Sequence, residues 1–379
     1  MNTRSNFWVG WRRFGGRGGL LTGLVLGLVL VGGSGSLFAQ DYVGAAFCAN
    51  CHPLDPSEAD NYGDWRTSGH RFILQEGVHA QHRPLPRPAG RSWDEISFVI
   101  GGHATKALYL DETGKLITST VDREGLPVDG MNQYNLLTGE WSDFLPGEDR
   151  PYDCGRCHTT GYTDRGSMPG LPDTVGNWVF PGVQCEVCHG PGNTMEVNQL
   201  AEACGTCHKH PDTDGIEAAN GFIRSEGQYS EHVAGAHAEL ACVSCHNPHK
   251  DAQFGIKNEC ESCHTDIAES YALDLMAQAG VECEDCHMPP ATLSGQPLGP
   301  HEGDRKTHLF TINTDPYATM FTEDGSSVKL TDGKASVTLD FACQRCHGGH
   351  SLNTLSVYAK GFHERQLDRL QSGVGLNDW

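Results

Sequence analysis

All sixteen cysteines of this chain stand in pairs spaced by two residues, and each pair is followed at once by histidine. The eight triplets are Cys48, Cys51 and His52; Cys154, Cys157 and His158; Cys185, Cys188 and His189; Cys204, Cys207 and His208; Cys242, Cys245 and His246; Cys260, Cys263 and His264; Cys283, Cys286 and His287; and Cys343, Cys346 and His347. Cysteine and histidine frequencies alone would give roughly 0.04 such triplets in a chain of this size. Two thiols three positions apart can each bond a vinyl group of one haem, with the adjacent imidazole reaching the iron. A disulfide framework or paired zinc ribbons would also use cysteine pairs, but neither explains a histidine after every pair. The expectation is eight covalent haem c groups and their iron.

The rest of the composition agrees. Only 38% of the 379 residues are apolar and 8% aromatic, against 47 Gly and 19 Pro, so the chain has little from which to build large cores. Haem macrocycles, as apolar plates, would supply the missing interior. The formal net charge of −21 excludes a basic nucleic-acid binder. Sixteen cysteines argue against a reducing compartment unless they hold a cofactor. Residues 1–39 read as a signal peptide: Arg4, Arg12, Arg13 and Arg17 precede an uncharged Leu/Val/Gly run from Gly19 to Gly33, with Ala39 before Gln40 as cleavage point. Leu37 is a poor cleavage residue, so an uncleaved anchor is the alternative, and the paired Arg12-Arg13 is taken as chance. Cleavage would leave an exported, acidic chain of net charge −25, in the periplasm, at the outer membrane or on the cell surface.

Four regions follow. After the leader, 40–150 holds the first motif and a β-rich insert, in which Ile96–Ile100, Ala107–Leu110 and Leu116–Thr120 read as strands about a turn at Asp111–Gly114. Residues 151–290 form a dense core with the second to seventh motifs, expected as loops and one- or two-turn helices. Residues 291–379 hold the eighth motif and a second insert, where Ser326–Thr331 and Ala335–Phe341 flank a turn at Asp332-Gly333. There Leu355, Tyr358, Phe362 and Leu370 also predict a helix over 352–370. The fold class is thus a multihaem cytochrome c: mostly irregular, with short helices around a haem stack, small β-hairpin inserts and a C-terminal helix.

Twelve histidines lie outside the motifs. Bis-histidine ligation of eight irons would use eight of them, and position must separate them. Here a resemblance helps. Trp65, Ser68 and His70 form a W-x-x-S-x-H pattern after the first motif; Ile100-Gly101-Gly102, Tyr109, Gln133-Tyr134-Asn135 and Gly139-Glu140-Trp141 follow. CEVCHGPG at Cys185–Gly192, CEDCHMP at Cys283–Pro289 and Lys306-Thr307-His308-Leu309-Phe310 complete the set. Over most of 42–363 the chain resembles the exported multihaem c-type cytochromes, the superfamily of the tetrahaem carriers of nitrifying bacteria and larger octahaem and decahaem proteins. The resemblance is specific for the superfamily and not for one member. It implies distal ligands at His70, His308, His249, His237 and His363. His232, His103 and His210 complete a provisional eight, His210 serving only a haem other than that of His208; His350, His301, His79 and His82 are reserves. Met288, wedged between His287 and two prolines, reads as packing.

Closed bis-histidine irons suit electron transfer between redox proteins, here a membrane quinol oxidase or reductase and a terminal reductase or other acceptor. No residue is marked as catalytic. The acidic surface predicts docking to basic partner faces. Two rivals remain. Octahaem relatives reduce nitrite, hydroxylamine, tetrathionate or sulfite at one open haem, although this chain has no Cys-x-x-Cys-Lys motif of the ammonia-forming type. Multihaem subunits also self-assemble into conductive filaments, or pair with an outer-membrane porin.

Overall fold

In the computed structural model, the structure describes residues 42–52, 60–192, 197–210 and 215–372, within one compact unit spanning Gln40–Trp379. The leader at 1–39 lies outside the described residues.

The first insert is a five-stranded antiparallel meander: β1 (Leu74–Glu76), β2 (Ile96–Gly101), β3 (Lys106–Asp111), β4 (Gln133–Asn135) and β5 (Glu140–Ser142). The pairing sets Leu74 opposite Ile100, Phe98 opposite Leu110, Ala107 opposite Tyr134, and Tyr134 opposite Trp141. Period-2 alternation gives the sheet two buried faces. Phe98, Leu108 and Leu110 pack with Leu74, Leu116, Tyr152 and Trp178, whereas Val99, Ala107 and Tyr109 pack with Ala80, Ile96 and Ile117. The expected strands on β2 and β3 are present. Leu116–Thr120 differs: Leu116 makes a single bridge to Leu110, and Ser119–Val121 turns away into a hairpin with Pro127–Asp129. The sheet is completed instead by β4 and β5, whose residues carry the superfamily resemblance. Asn132, fully buried, pins this edge: its Nδ2 donates to Ile117 O and Phe144 O, and its Oδ1 accepts from Phe144 N.

The second insert has its own core of Ile216, Phe222, Ile223, Leu309, Val337 and Phe341, among others. The Asp332-Gly333 turn forms, both residues having positive φ, with Thr331 bridged to Lys334. Its arms do not extend as a hairpin, however: Val337–Thr338 pairs in parallel with Ile312–Asn313, and Asp340–Gln344 is a π-helical turn leading into the eighth motif. The C-terminal helix is two helices, Leu352–Ala359 and Phe362–Ser372. Lys360 is extended and Gly361 adopts φ +62, a conformation that ends the first helix at little cost only because the residue is glycine.

Between these cores the chain has almost no interior of its own. From Ala236 to Met288 only Gly255 and Ser270 are buried. Among the described residues no helix is long and apolar enough to cross a membrane.

Candidate metal centres

Each motif is wound into about one helical turn. The main-chain N–H of the motif histidine donates to the carbonyl of the first cysteine at His52, His158, His208, His246, His264 and His347 (2.9–3.3 Å). Residues three apart on such a turn share a face, so both thiols of a pair project together with the imidazole beside them. None of the sixteen cysteines is joined to another in a disulfide. Among the described residues no group of three or more His, Cys, Asp or Glu side chains is gathered as a metal cluster. The thiols instead face a cavity of ≈ 3080 Å³, lined by both cysteines of the second to eighth motifs. Drug-sized ligands occupy pockets of about 300–1,000 Å³, so this void has the scale of several large cofactors.

The histidines around it are arranged in opposed pairs. Two imidazoles trans on one metal ion, each with a bond of about 2 Å, have ring centres roughly 6 Å apart. Five motif histidines face a non-motif histidine at that spacing: His208 and His70 at 6.2 Å, His189 and His249 at 6.1 Å, His264 and His237 at 5.9 Å, His246 and His308 at 6.1 Å, and His287 and His363 at 5.8 Å. In several, a carbonyl oxygen holds Nδ1 and leaves Nε2 for the metal. His70 Nδ1 meets Pro248 O (3.1 Å), His249 Nδ1 meets Asn247 Oδ1 (3.1 Å) and His287 Nδ1 meets Phe310 O (2.7 Å). Burial pulls His208 down to about 4 and His308 down to about 3, so both rings are neutral at pH 7, the form that ligates a metal. The donor set and spacing therefore fit haem iron.

His232, His103 and His210 each meet another group through one ring nitrogen. His232 Nε2 meets Leu240 O at 2.8 Å. His103 Nε2 bonds the Asp251 carboxylate while its ring stacks on Phe72, and His210 Nδ1 lies 3.2 Å from Glu217 Oε1. Of the reserves, His350 also lies 5.9 Å from a motif histidine, His347, but it is only three residues on and its main-chain N–H is bonded to His347 O; His301 lies 3.8 Å from Asp340 and His79 3.3 Å from Glu76.

His158 stands apart. Among the described residues, the ring set against it is that of Tyr152, at 6.3 Å. Burial lowers His158 to about 4, and Lys106 and Glu226 are the charges that act on it. Lys106 is held down by burial and countered by Glu226 and Asp304, with Arg305 beside it. Its Nζ donates to Ser294 O at 2.5 Å; Tyr152 OH and Arg305 Nε are shielded from solvent without a protein partner. None of these side chains stands out in sequence: Lys106 lies inside a strand pattern and Arg305 in a loop, and only packing brings Lys106 within reach of His158 and Arg305 within reach of Lys106.

Two family descriptions match parts of the chain, Cytochrome c3 over residues 180–269 and Cytochrome c554 and c-prime over 141–190. A curated relative, the dissimilatory sulfite reductase MccA of Wolinella succinogenes, is 22% identical over 266 residues. That alignment covers 53% of this chain but only 37% of the relative, so the chain spans little more than a third of it. The solved octaheme sulfite reductase MccA of Wolinella succinogenes superposes with a TM-score of 0.60 at 16% identity, covering 88% of this chain and 71% of that one. The outer cell wall cytochrome OcwA superposes at 0.53 and 16% identity, covering 87% and 89%. At these identities the likeness establishes the fold.

Proposed function

Because the chain is a multihaem c-type cytochrome that holds covalent haem c, we propose that it carries eight haems and that its function is electron transfer between redox proteins outside the cytoplasm. The observation that carries this is the five opposed histidine pairs at 5.8–6.2 Å, a spacing at which the two imidazoles of each pair would hold one haem iron between them. Bound haem c supplies one-electron chemistry, and the protein tunes it by axial ligand, hydrogen bonding and burial. The chain's part is to fix each imidazole. Pro248 O, Asn247 Oδ1 and Phe310 O orient His70, His249 and His287, and burial lowers the pKa of His70 and of His249. A membrane quinol oxidase or reductase and a terminal reductase are the partner classes that suit an acidic exported carrier. The test is the mass of the purified holoprotein with an EPR spectrum of its oxidised form. Eight attached haems with at least five low-spin signals support the reading, and fewer than five overturn it.

A second reading is favoured by one place only. At His158 the opposed ring is that of Tyr152, Lys106 is among the charges that act on the histidine, and Arg305 acts in turn on Lys106. Cationic groups beside an open iron position suit a small oxyanion, and the aligned relative is a sulfite reductase. On this reading Lys106 and Arg305 bind and orient a sulfur or nitrogen oxyanion, and Tyr152 OH is the nearby proton-bearing group. A high-spin signal that shifts on adding sulfite, nitrite or hydroxylamine would mark it. A spectrum unmoved by all three would remove it.

A further inference from the structure

From Lys306 to Phe310 the chain is in neither helix nor strand, yet this short segment serves three of the opposed histidine pairs. His308 faces His246. Two residues on, the carbonyl of Phe310 holds His287 Nδ1 at 2.7 Å, and the Phe310 ring lies edge-on to His237 with centres 4.5 Å apart (77°). Phe310 adopts φ +62, a backbone conformation unfavourable for a residue with a Cβ, which persists only where the surroundings impose it. An irregular segment set this closely must be fixed by contacts outside itself.

One such contact comes from far back in the chain. Glu231, fully buried on the helix Gln228–Ala234, accepts at Oε2 from the Thr307 hydroxyl and from the His308 N–H (2.7 Å). Thr307 is fully buried as well, and its own N–H donates to Pro289 O at 3.1 Å, just past the seventh motif. At the end of the same helix, a Cβ on Gly235 would meet His308 O at 2.9 Å and Leu309 O at 3.0 Å, so helix and segment also touch through their backbones. The other carboxyl oxygen, Glu231 Oε1, is shielded from solvent without a partner. Burying a carboxyl group costs free energy that an apolar side chain would not. Packing therefore does not account for Glu231, whereas its two hydrogen bonds to the segment do.

We propose that Glu231 is a positioning residue for three haem centres: by fastening Thr307 and His308 it sets the segment 307–310, and through that segment His308, His287 and His237. The inference deepens the electron-transfer reading and rests on it. At His308 the effect is direct, since the N–H that Glu231 binds and the imidazole belong to one residue. At His287 it passes through Phe310 O, whose contact with Nδ1 sets the ring's orientation and its strength as a ligand. At His237 it passes through ring packing alone, and the effect there is the smallest of the three.

The test is EPR of the oxidised holoprotein in Glu231→Ala, Glu231→Gln and Thr307→Val, each checked by mass for the parent's haem content. The variants His308→Ala and His363→Ala first identify the signals of the centres at His246 and His287. Glu231→Ala should convert the His246 signal from low to high spin and shift the g values of the His287 signal. Glu231→Gln, which keeps an oxygen for both hydrogen bonds, should retain the parent spectrum, and Thr307→Val, which loses one of the two, should move the same two signals by less. A parent spectrum in Glu231→Ala, equal changes in the Ala and Gln variants, or changes confined to other centres would each overturn the assignment. If Glu231→Ala loses haem, Thr307→Val decides in its place: movement of those two signals supports the inference and a parent spectrum overturns it. Fewer than five low-spin haems in the parent would instead overturn the electron-transfer reading, and the inference with it.

Discussion

His287 and His363 approach each other with their Nε2 atoms 3.5 Å apart and their rings only 20° from parallel, although 76 residues separate them in sequence. His287 is oriented by Phe310 O through Nδ1, and His363 is carried on the second C-terminal helix. Two half-buried, electron-rich nitrogens so placed repel one another unless a proton or a metal lies between them. Replacing His363 with Ala is therefore expected to convert one haem of the holoprotein from low to high spin and to create one carbon monoxide site. An EPR spectrum and a carbon monoxide difference spectrum identical to those of the parent would remove His363 as a ligand.

His232, His103 and His210 give the complementary prediction. One ring nitrogen of each is set against Leu240 O, Asp251 or Glu217. Each Ala variant should keep the parent's number of low-spin haems. A new high-spin signal in any of them would return that histidine to the ligand set.

Glu186 is 3% exposed and accepts from three main-chain N–H groups, those of Val43, Gly44 and Gly192. Hydrogen bonds to a charged acceptor contribute about 1.5–3 kcal/mol each, and they are not additive. Glu186→Ala should lower holoprotein stability by roughly 3 kcal/mol and release the segment before the first motif. Limited proteolysis with mass mapping checks this: cleavage near residues 42–52 should appear first, and an unchanged digestion pattern would contradict the clamp.

Asp324 closes a tight turn, where its carboxylate accepts first from the Thr322 hydroxyl and then from the Ser326 N–H and hydroxyl. These bonds hold its carboxyl down to about 2, against 3.8 in the unfolded chain. A depressed folded value stabilises the native state fully above the unfolded value, and that contribution disappears as pH falls through the folded one. The melting temperature should thus fall less steeply between pH 4 and pH 2 in Asp324→Asn than in the parent. Parallel curves over that window would refute the assignment.

In the sheet, Leu110 is fully buried between Leu74, Phe98 and Leu116. Leu110→Ala should cost about 2–5 kcal/mol, read as a lowered melting temperature of the holoprotein with its haem content unchanged. Loss of haem from the second motif would show instead that the sheet and that site fold as one unit.

Much of this was legible in sequence for a physical reason. The attachment motif is a local, one-turn signal, and each turn forms. Strands β2 and β3 carry clean alternation, and they too are present. What escaped depends on distance. Nothing near Leu116–Thr120 signals that the chain leaves the sheet and that β4 and β5 close it. The helical spacing of 352–370 continues through Gly361, whose left-handed conformation breaks it. The five opposed histidines followed from superfamily motifs rather than from periodicity. The surroundings of His232, whose Nε2 is taken by a carbonyl eight residues on, could not be read at all. Lys106 acts on His158, and Arg305 on Lys106, only through tertiary packing.

The opposed pairs also bear on how the chain is made. His70 must find His208, His249 must return to His189, and His308 and His363 must reach back to His246 and His287; His237 and His264 form the most local pair. Contacts so distant in sequence form slowly, because loop closure must precede them. A chain emerging from its N-terminus would therefore display His70 long before its partner exists, and would complete its seventh centre only when the last helix arrives. Assembly order and motif order cannot coincide, and a chain truncated before Phe362 should stall with its seventh centre unfinished.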